Sequence, residues 1–375
     1  GQEDLVALAG QADTGSHAGV QVVAPAVAAA GTEPVRALVV APGPNFSVAD
    51  VYRGWAEGLA AVGVETRLFE LDTLLQWYST AHQQDASGAW VQPYEEEQVA
   101  QLAAGHIRAE CYAWWPDLVV VVSGFFMYPL LVDMMRDRGH KVVLVATEEP
   151  YETTRTLDKA RWGWDAVVLN DPVNLELYQD TLDCPVFYGP HCYRPDVHKP
   201  GPGTRQSDVA FVGTGYPSRQ RFLERVDWTG LDLVLAGNWE HSSPQLLDRL
   251  VHGETECIDN VDAVGLYQGA LASFNLYRLE DDGGLNSGAD GWAIGPREVE
   301  LAATGTWFAR QSRPESDELF PMLPTFDSPE ELGDLLRWAK ANPDLRQSAA
   351  DRARAAVADR TFPKNAERLL RALDV

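Results

Sequence analysis

Residues 35–71 read VRALVVAPGPNFSVADVYRGWAEGLAAVGVETRLFEL. Val35 to Val40 is a nearly continuous apolar run bounded by Ala41-Pro42-Gly43-Pro44, the pattern of a parallel strand covered on both faces. Ser47 precedes a helical pattern carrying Val48, Val51, Trp55, Leu59 and Val62, which closes at Gly63. Val64 to Leu71 then reads as a second strand. Strand, loop, helix, Gly and strand make one βαβ unit, and such a unit implies a parallel sheet.

The alternation continues outward. A helical stretch from Tyr94 to Tyr112 leads to a strand from Leu118 to Val122, and a helix from Pro129 stops at Gly139. Strands from Lys141 to Ala146 and from Ala166 to Leu169 end at Glu148-Glu149-Pro150 and Asn170-Asp171. Pro190, Pro195, Pro200 and Pro202 then form a stiff, poorly helical connector. A second alternation begins at Asp208. Its strand from Val209 to Val212 ends in Gly213-Thr214-Gly215, and its strand from Leu231 to Ala236 ends in Gly237-Asn238. A strand from Leu271 to Leu276 and a helix from Arg297 to Thr304 follow, and from Pro329 the chain is helical almost to its end. The expected organisation is a poorly ordered tail (1–34), a Rossmann-like α/β domain (35–190), a linker (191–204), a second Rossmann-like domain (205–360) and a terminal helix (361–375).

The chain has 375 residues, 45% hydrophobic and 10% aromatic, enough for two cores and incompatible with global disorder. Its 30 Lys and Arg stand against 55 Asp and Glu, a formal charge of −25. Such a surface repels phosphate backbones and anionic headgroups at long range, which disfavours duplex nucleic acid as a partner and leaves room for a local basic pocket. The longest apolar runs are strand-length, so no membrane span is expected. No basic and apolar leader opens the chain, and the expectation is a soluble, cytoplasmic protein. Cys111, Cys184, Cys192 and Cys257 match no zinc or redox spacing and read as free thiols.

In open α/β sheets, ligands bind beyond the carboxyl ends of the strands. The candidate loops are therefore Gly43 to Ser47, Ser123-Gly124, Glu148-Glu149, Asn170-Asp171, His191, Gly213 to Arg219, Gly237-Asn238 and Asn275 to Arg278. Glycines directly after a strand let backbone N–H groups approach an anion, and a helix N-terminus adds partial positive charge. By this reading Gly213, Thr214 and Gly215 cradle a phosphate and Arg219 adds a bidentate contact; a plain tight turn is the alternative.

The segment Pro296-Arg297-Glu298-Val299-Glu300-Leu301-Ala302-Ala303-Thr304-Gly305 resembles the R-x-F-E-x-x-A-x-G element of the CgeB/YkvP-like glycosyltransferases. Arg297, Glu300, Ala303 and Gly305 match, and Val299 stands where the family usually has Phe. Companion elements recur in the family's order: Phe211-Val212-Gly213 with Arg219, Leu271-Ala272-Ser273-Phe274-Asn275, Pro190-His191 to Pro195, and Arg360-Thr361-Phe362. Glu148-Glu149-Pro150 stands where relatives often have Asp-Asp-Pro. The resemblance implies a GT-B fold, two Rossmann-like domains across a cleft with a last helix crossing back to the first.

It also implies a glycosyltransferase that moves a sugar from a nucleotide-diphosphate sugar to a hydroxyl, with no metal and no cofactor beyond that co-substrate. Glu300 would accept the ribose hydroxyls. Arg297, Arg219 and the Gly213 to Gly215 amides would neutralise the diphosphate, with Asn238 and Asn275 completing the donor wall. Glu148, Glu149 and His191 are the candidates for the acceptor side, with a carboxylate acting as base or positioning group. The acceptor is open among protein, modified base, metabolite and envelope precursor. Trp292 occupies the place where many retaining relatives in the wider superfamily have a second Glu. Asn286 to Gly295 reads as a polar loop that wraps the donor sugar or simply connects, and Asp281-Asp282 as a solvated loop. A nucleotide-sugar epimerase of the same fold, or a binding module without chemistry, are the alternatives.

Overall fold

The computed structural model describes residues 20–23, 34–43, 48–281 and 290–375. The strands are β1 (Val20–Val23), β2 (Arg36–Val40), β3 (Glu65–Phe69), β4 (Gln83–Gln84), β5 (Trp90–Val91), β6 (Leu118–Val122), β7 (Lys141–Val145), β8 (Ala166–Leu169), β9 (Val186–Tyr188), β10 (Ser207–Val212), β11 (Leu233–Ala236), β12 (Ala270–Asn275) and β13 (Phe308–Arg310). The first half is a seven-stranded sheet in the order β1-β3-β2-β6-β7-β8-β9, and the second a four-stranded sheet in the order β11-β10-β12-β13. All neighbouring strands in these two sheets are parallel except β1 against β3.

Apolar strands of this kind are stable only when covered on both faces. In β6, Leu118, Val120 and Val122 pack into one cluster, and Val119 and Val121 into the cluster on the opposite face. β2 divides the same way, with Ala37 and Val39 on one side and Leu38 and Val40 on the other. The intervening helix Ala49–Ala61 ends before Gly63, whose φ of 95° only glycine adopts freely. Ser47, expected to start that helix, lies outside the described residues.

Strand order reverses twice, once between β2 and β6 and once between β10 and β12. Each reversal opens a crevice at the carboxyl ends of its two strands. The connector and the packing of the halves turn these crevices toward each other.

Part of the tail joins the fold. Val20–Val23 runs antiparallel to β3, with Val20 opposite Phe69 and Val23 opposite Thr66. The other residues up to 33 lie outside the described residues. Short elements without strong periodicity also escaped the sequence reading: helix Leu71–Ser79, helix Pro244–Leu247 and the β4–β5 hairpin.

The last helix, Phe362–Leu373, sends Phe362, Ala366 and Leu369 into the core of the first half. Helix Ala49–Ala61 receives it through two glycines one turn apart. A Cβ on Gly54 would lie 2.2 Å from the Phe362 ring, and one on Gly58 would lie 2.6 Å from its backbone. Trp55 meets the same ring edge-on at 6.4 Å. Phe362→Ala leaves this slot empty and is expected to cost about 3–5 kcal/mol, measured by urea unfolding followed by circular dichroism.

Candidate functional site

Between the halves lies a cavity of about 730 Å³, into which both crevices open. On the wall of the second half, Pro296 and the Gly295 cap start helix Pro296–Thr304 and place Arg297 in its first turn. Arg297 donates from Nε to the Val212 carbonyl at 2.7 Å and from Nη1 to the Asn275 side-chain oxygen at 2.9 Å. Its guanidinium lies 4.4 Å from the centre of the Phe211 ring. A Cβ on Gly213 would sit 2.1 Å from Nη2, so this seat for Arg297 requires glycine there. Asn275 is 2% exposed and donates to Glu298 at 3.0 Å, which makes it a positioning residue between Arg297 and Glu298. Arg219, also buried, donates to the carbonyls of Leu276 and Thr214, each at 2.9 Å. Burial, and next the Arg297 charge, lowers its pKa to about 9.

Two of the three amides of the Gly213 to Gly215 loop, expected from the sequence to cradle an anion, are spent within the protein. The Gly213 N–H donates to the Ala236 carbonyl at 2.9 Å and the Gly215 N–H to the Asn238 carbonyl at 2.7 Å. Gly215 packs against Trp239, 2.4 Å from where its Cβ would be, and does not line the cavity. Thr214 and Asn238 do line it, although the Asn238 side-chain oxygen is turned back onto the Glu240 N–H at 3.1 Å. The start of helix Pro217–Leu223 already holds an anion. The Ser218 N–H and hydroxyl both donate to the Glu280 carboxylate at 2.7 Å. A strand followed by glycines reads identically whether the loop frees its amides or spends them on the neighbouring loop. The positive charge of this wall therefore comes from guanidinium groups.

On the opposite wall, consecutive acids point in opposite directions. Glu149 is 1% exposed, and its carboxylate accepts from the Thr153 hydroxyl at 3.0 Å, the Asn174 amide at 2.7 Å and the Tyr178 hydroxyl at 2.5 Å. Its backbone N–H and carbonyl both pair with the Asn170 side chain. Glu149, expected on the acceptor side, borders the cavity, but its carboxylate is held by three donors of the first half. Burial raises its pKa against those three donors.

Glu148 faces the second half, where Arg278 donates to it at 2.8 Å. Burial raises its pKa too, with the Arg278 charge opposing. Arg278 lies 4.2 Å from the Tyr151 ring centre and also donates to the Tyr216 hydroxyl. Arg313 donates to the Tyr151 hydroxyl at 2.8 Å and lies 3.6 Å from the Tyr277 ring centre. Tyr151, from the first half, is thus held by two guanidinium groups of the second. His191 lines the cavity, and burial, followed by Arg313 and Arg360, lowers its pKa to about 4.

Glu300 lines the cavity one turn beyond Arg297 and approaches Asp50 and His198. Burial, and next the Asp50 charge, raises its pKa to about 8. Trp292 belongs to the seam between the halves: its ring meets Tyr188 edge-on at 5.9 Å and its N–H donates to Asp171 at 3.0 Å. Asp282 and residues 286–289 of the expected sugar loop lie outside the described residues. Trp114 and Trp164 are core residues.

Sequence reasoning did not single out Tyr151, Glu298 or Arg313. Each was detectable only as a neighbour of a motif position, and Arg278 only as the end of a candidate loop. The four cysteines are free, with Cys257 exposed. Two outcomes are expected. Glu149→Ala strands the buried Tyr178 hydroxyl and removes an acceptor from Thr153 and Asn174, and should lower stability by about 1–3 kcal/mol in chemical denaturation. In a proton NMR titration the His191 imidazole should stay neutral down to pH 5, against an ordinary midpoint of about 6.5.

Residues 218–371 match the model of a family described as glycosyl transferase-like. No curated protein matches the chain. Among solved structures, sucrose-phosphate synthase (tll1590) from Thermosynechococcus elongatus superposes with a TM-score of 0.58 at 13% identity, over 90% of this chain and 98% of that one. The E. coli trehalose-6-phosphate protein bound with UDP-2-fluoro glucose gives 0.56 at 9% identity, again over 90% and 98%. A Listeria monocytogenes chain assigned as a UDP-N-acetylglucosamine 2-epimerase gives 0.52 at 11% identity, over 91% and 96%. The chain has the GT-B fold.

Proposed function

We propose that the chain is a glycosyltransferase of the CgeB/YkvP-like kind, using a nucleotide-diphosphate sugar and transferring the sugar to an acceptor hydroxyl. The observation that carries this reading is the seating of Arg297 at the β10/β12 crevice, facing Glu148 across the cleft. The family match over the second half supports it, as do the fold neighbours, one of them bound to UDP-2-fluoro glucose.

In the reaction, the bond from the anomeric carbon to the β-phosphate oxygen breaks. A bond from that carbon to the acceptor oxygen forms, and the nucleoside diphosphate leaves. Arg297 and Arg219 stabilise the charge that develops on the diphosphate, in a cleft where few waters compete. This role needs no divalent ion, and the proposal is metal-independent transfer. Glu300 takes the ribose, and Asn275 holds Arg297 in register.

Glu148 is the carboxylate aimed across the cleft, and its raised pKa suits a group that takes the acceptor proton. His191, neutral at physiological pH, serves as a hydrogen-bonding contact to sugar or acceptor. The second reading, a nucleotide-binding module without chemistry, is favoured by the engagement of Glu148 with Arg278 and by Trp292 at the seam. Donor turnover separates the two.

A thermal-shift and calorimetry panel of UDP-, GDP-, TDP- and ADP-sugars tests the donor site, since a ligand that binds only the folded chain raises its melting temperature. One nucleotide should bind equally with and without a chelator. Arg297→Ala should weaken it by about 1.5–3 kcal/mol, the worth of a charged hydrogen bond, and Glu148→Gln should leave binding intact while abolishing turnover. Normal donor binding by Arg297→Ala would place the site elsewhere.

A further inference from the structure

Asp50, near the start of helix Ala49–Ala61, and Glu300, on helix Pro296–Thr304, meet across the cleft from opposite halves. One oxygen of each and a ring nitrogen of His198 in the connector all lie within 4.8 Å of one another. Asp50 is 7% exposed and His198 2%. One Asp50 oxygen is held by Arg194 at 2.7 Å, and Arg194 is gripped from behind by Glu57. The other faces His198 Nε2 at 3.9 Å.

The Arg194 backbone N–H donates to His198 Nδ1 at 3.2 Å, so the neutral ring carries its proton on Nε2. That N–H is buried and has no hydrogen-bond partner among the described residues. In this tautomer the ring presents a donor and no lone pair, which is the wrong polarity for a cation. Two carboxylate acceptors beside one donor suit a group that both donates and accepts, and a hydroxyl is such a group.

We propose that Asp50 and Glu300 jointly bind the vicinal diol of the donor ribose, one carboxylate from each half, with His198 Nε2–H completing the contact. This rests on the nucleotide-sugar reading above. A hydroxyl oxygen set among the three atoms is within hydrogen-bond reach of each, donating to a carboxylate and accepting from His198. The ribose then ties the two halves together at this point, and an interaction made by only one half would not.

Electrostatics supports the arrangement. Glu300 is faced by Asp50 and His198 across the cleft, by Arg297 on its own helix and by Tyr267 on helix Asn260–Gly269, with Arg194 behind Asp50. Burial, and next the Asp50 charge, raises the Glu300 pKa to about 8. An ionised carboxylate accepts a hydroxyl more strongly than a neutral carboxyl does, so binding favours charged Glu300 and is linked to release of its proton below that pH. Affinity therefore rises with pH toward 8 and levels off above it.

The test is calorimetry of the full chain with UDP, GDP and ADP, each as the ribonucleotide and as its 2′-deoxy and 3′-deoxy forms. The native chain should prefer the ribonucleotide to at least one deoxy form by about tenfold or more. Asp50→Asn should erase most of that preference while binding the deoxy form as before. Glu57→Gln, which loosens Arg194 without entering the cluster, should retain it. Between pH 7 and 8 ribonucleotide affinity should climb in the native chain relative to Glu300→Gln at the same pH, a comparison in which the titration of Arg219 cancels.

An unchanged ribose preference in Asp50→Asn would overturn the inference and leave the nucleotide-sugar reading standing. Absence of binding by every nucleotide would overturn both. Should Asp50→Asn fail to fold, His198→Asn, which keeps an acceptor near the Arg194 N–H and removes the Nε2 donor, decides in its place, and an unchanged ribose preference there overturns the inference.

Discussion

Buried carboxylates that find their partners on the opposite half fix the geometry of the cleft. Asp171 is 1% exposed and accepts the backbone N–H groups of Trp292 at 3.0 Å and Ala293 at 2.9 Å. Glu315, 3% exposed, accepts from the Tyr188 hydroxyl of the first half at 2.8 Å, and from Arg360 at 2.6 Å and the Ile294 N–H at 2.9 Å within its own half. Separating the halves would leave acids or peptide groups without partners, each costing about 1–3 kcal/mol unless water replaces the lost contact. The Arg53–Asp259 pair, which also joins the halves, is 35% and 43% exposed and adds little by comparison. The seam formed by Asp171, Tyr188 and Glu315 therefore resists opening more than that exposed contact does.

The cleft sets an acidic wall against a cationic one: Asp50, Glu148, Glu149, Glu152 and Asp171 line it from the first half with Arg155 beside them, and the second half adds Glu300 to its arginines. Arg219, Arg278, Arg297 and Arg313 all line it in a chain whose formal charge is −25. Arg278 is partly neutralised by Glu148 and Arg313 by Asp171, and both stack on tyrosine rings, which spread contact over a polarisable face. Arg219 and Arg297 are left as like charges close together, and the Arg219 pKa is depressed first by burial and next by the Arg297 charge. An anion entering the cleft relieves this repulsion. Attraction for such an anion is thus generated at short range inside the cavity, against a surface field of the opposite sign.

Much of the architecture was legible because hydrophobic periodicity reports burial directly. The runs in β2, β6 and β7 could only be strands covered on both sides, and the glycine after Val62 could only end a helix. Arg297 and Glu300 were singled out by the resemblance of their segment to a family element, and both line the cavity. The direction of a side chain was not legible. Glu148 and Glu149 are identical in type and adjacent in sequence, yet one faces Arg278 and the other Tyr178. That choice is made by Asn170, Asn174 and Tyr178, residues with no pattern linking them to the acids. Likewise, nothing in Gly213-Thr214-Gly215 reveals that Ala236 and Asn238 take up its amides. Asp50 and His198 were invisible for the same reason: their neighbourhood with Glu300 comes from how the halves pack.

The return of the terminal helix has a consequence for biosynthesis. Domains ordinarily fold as they leave the ribosome, the first one first. Here the slot formed by Gly54 and Gly58 stays unfilled until Phe362 has been translated, after the whole second half. The first sheet to be made is thus among the last to complete its packing. Until then an apolar face along helix Ala49–Ala61 is left uncovered on the nascent chain, the kind of surface that chaperones bind.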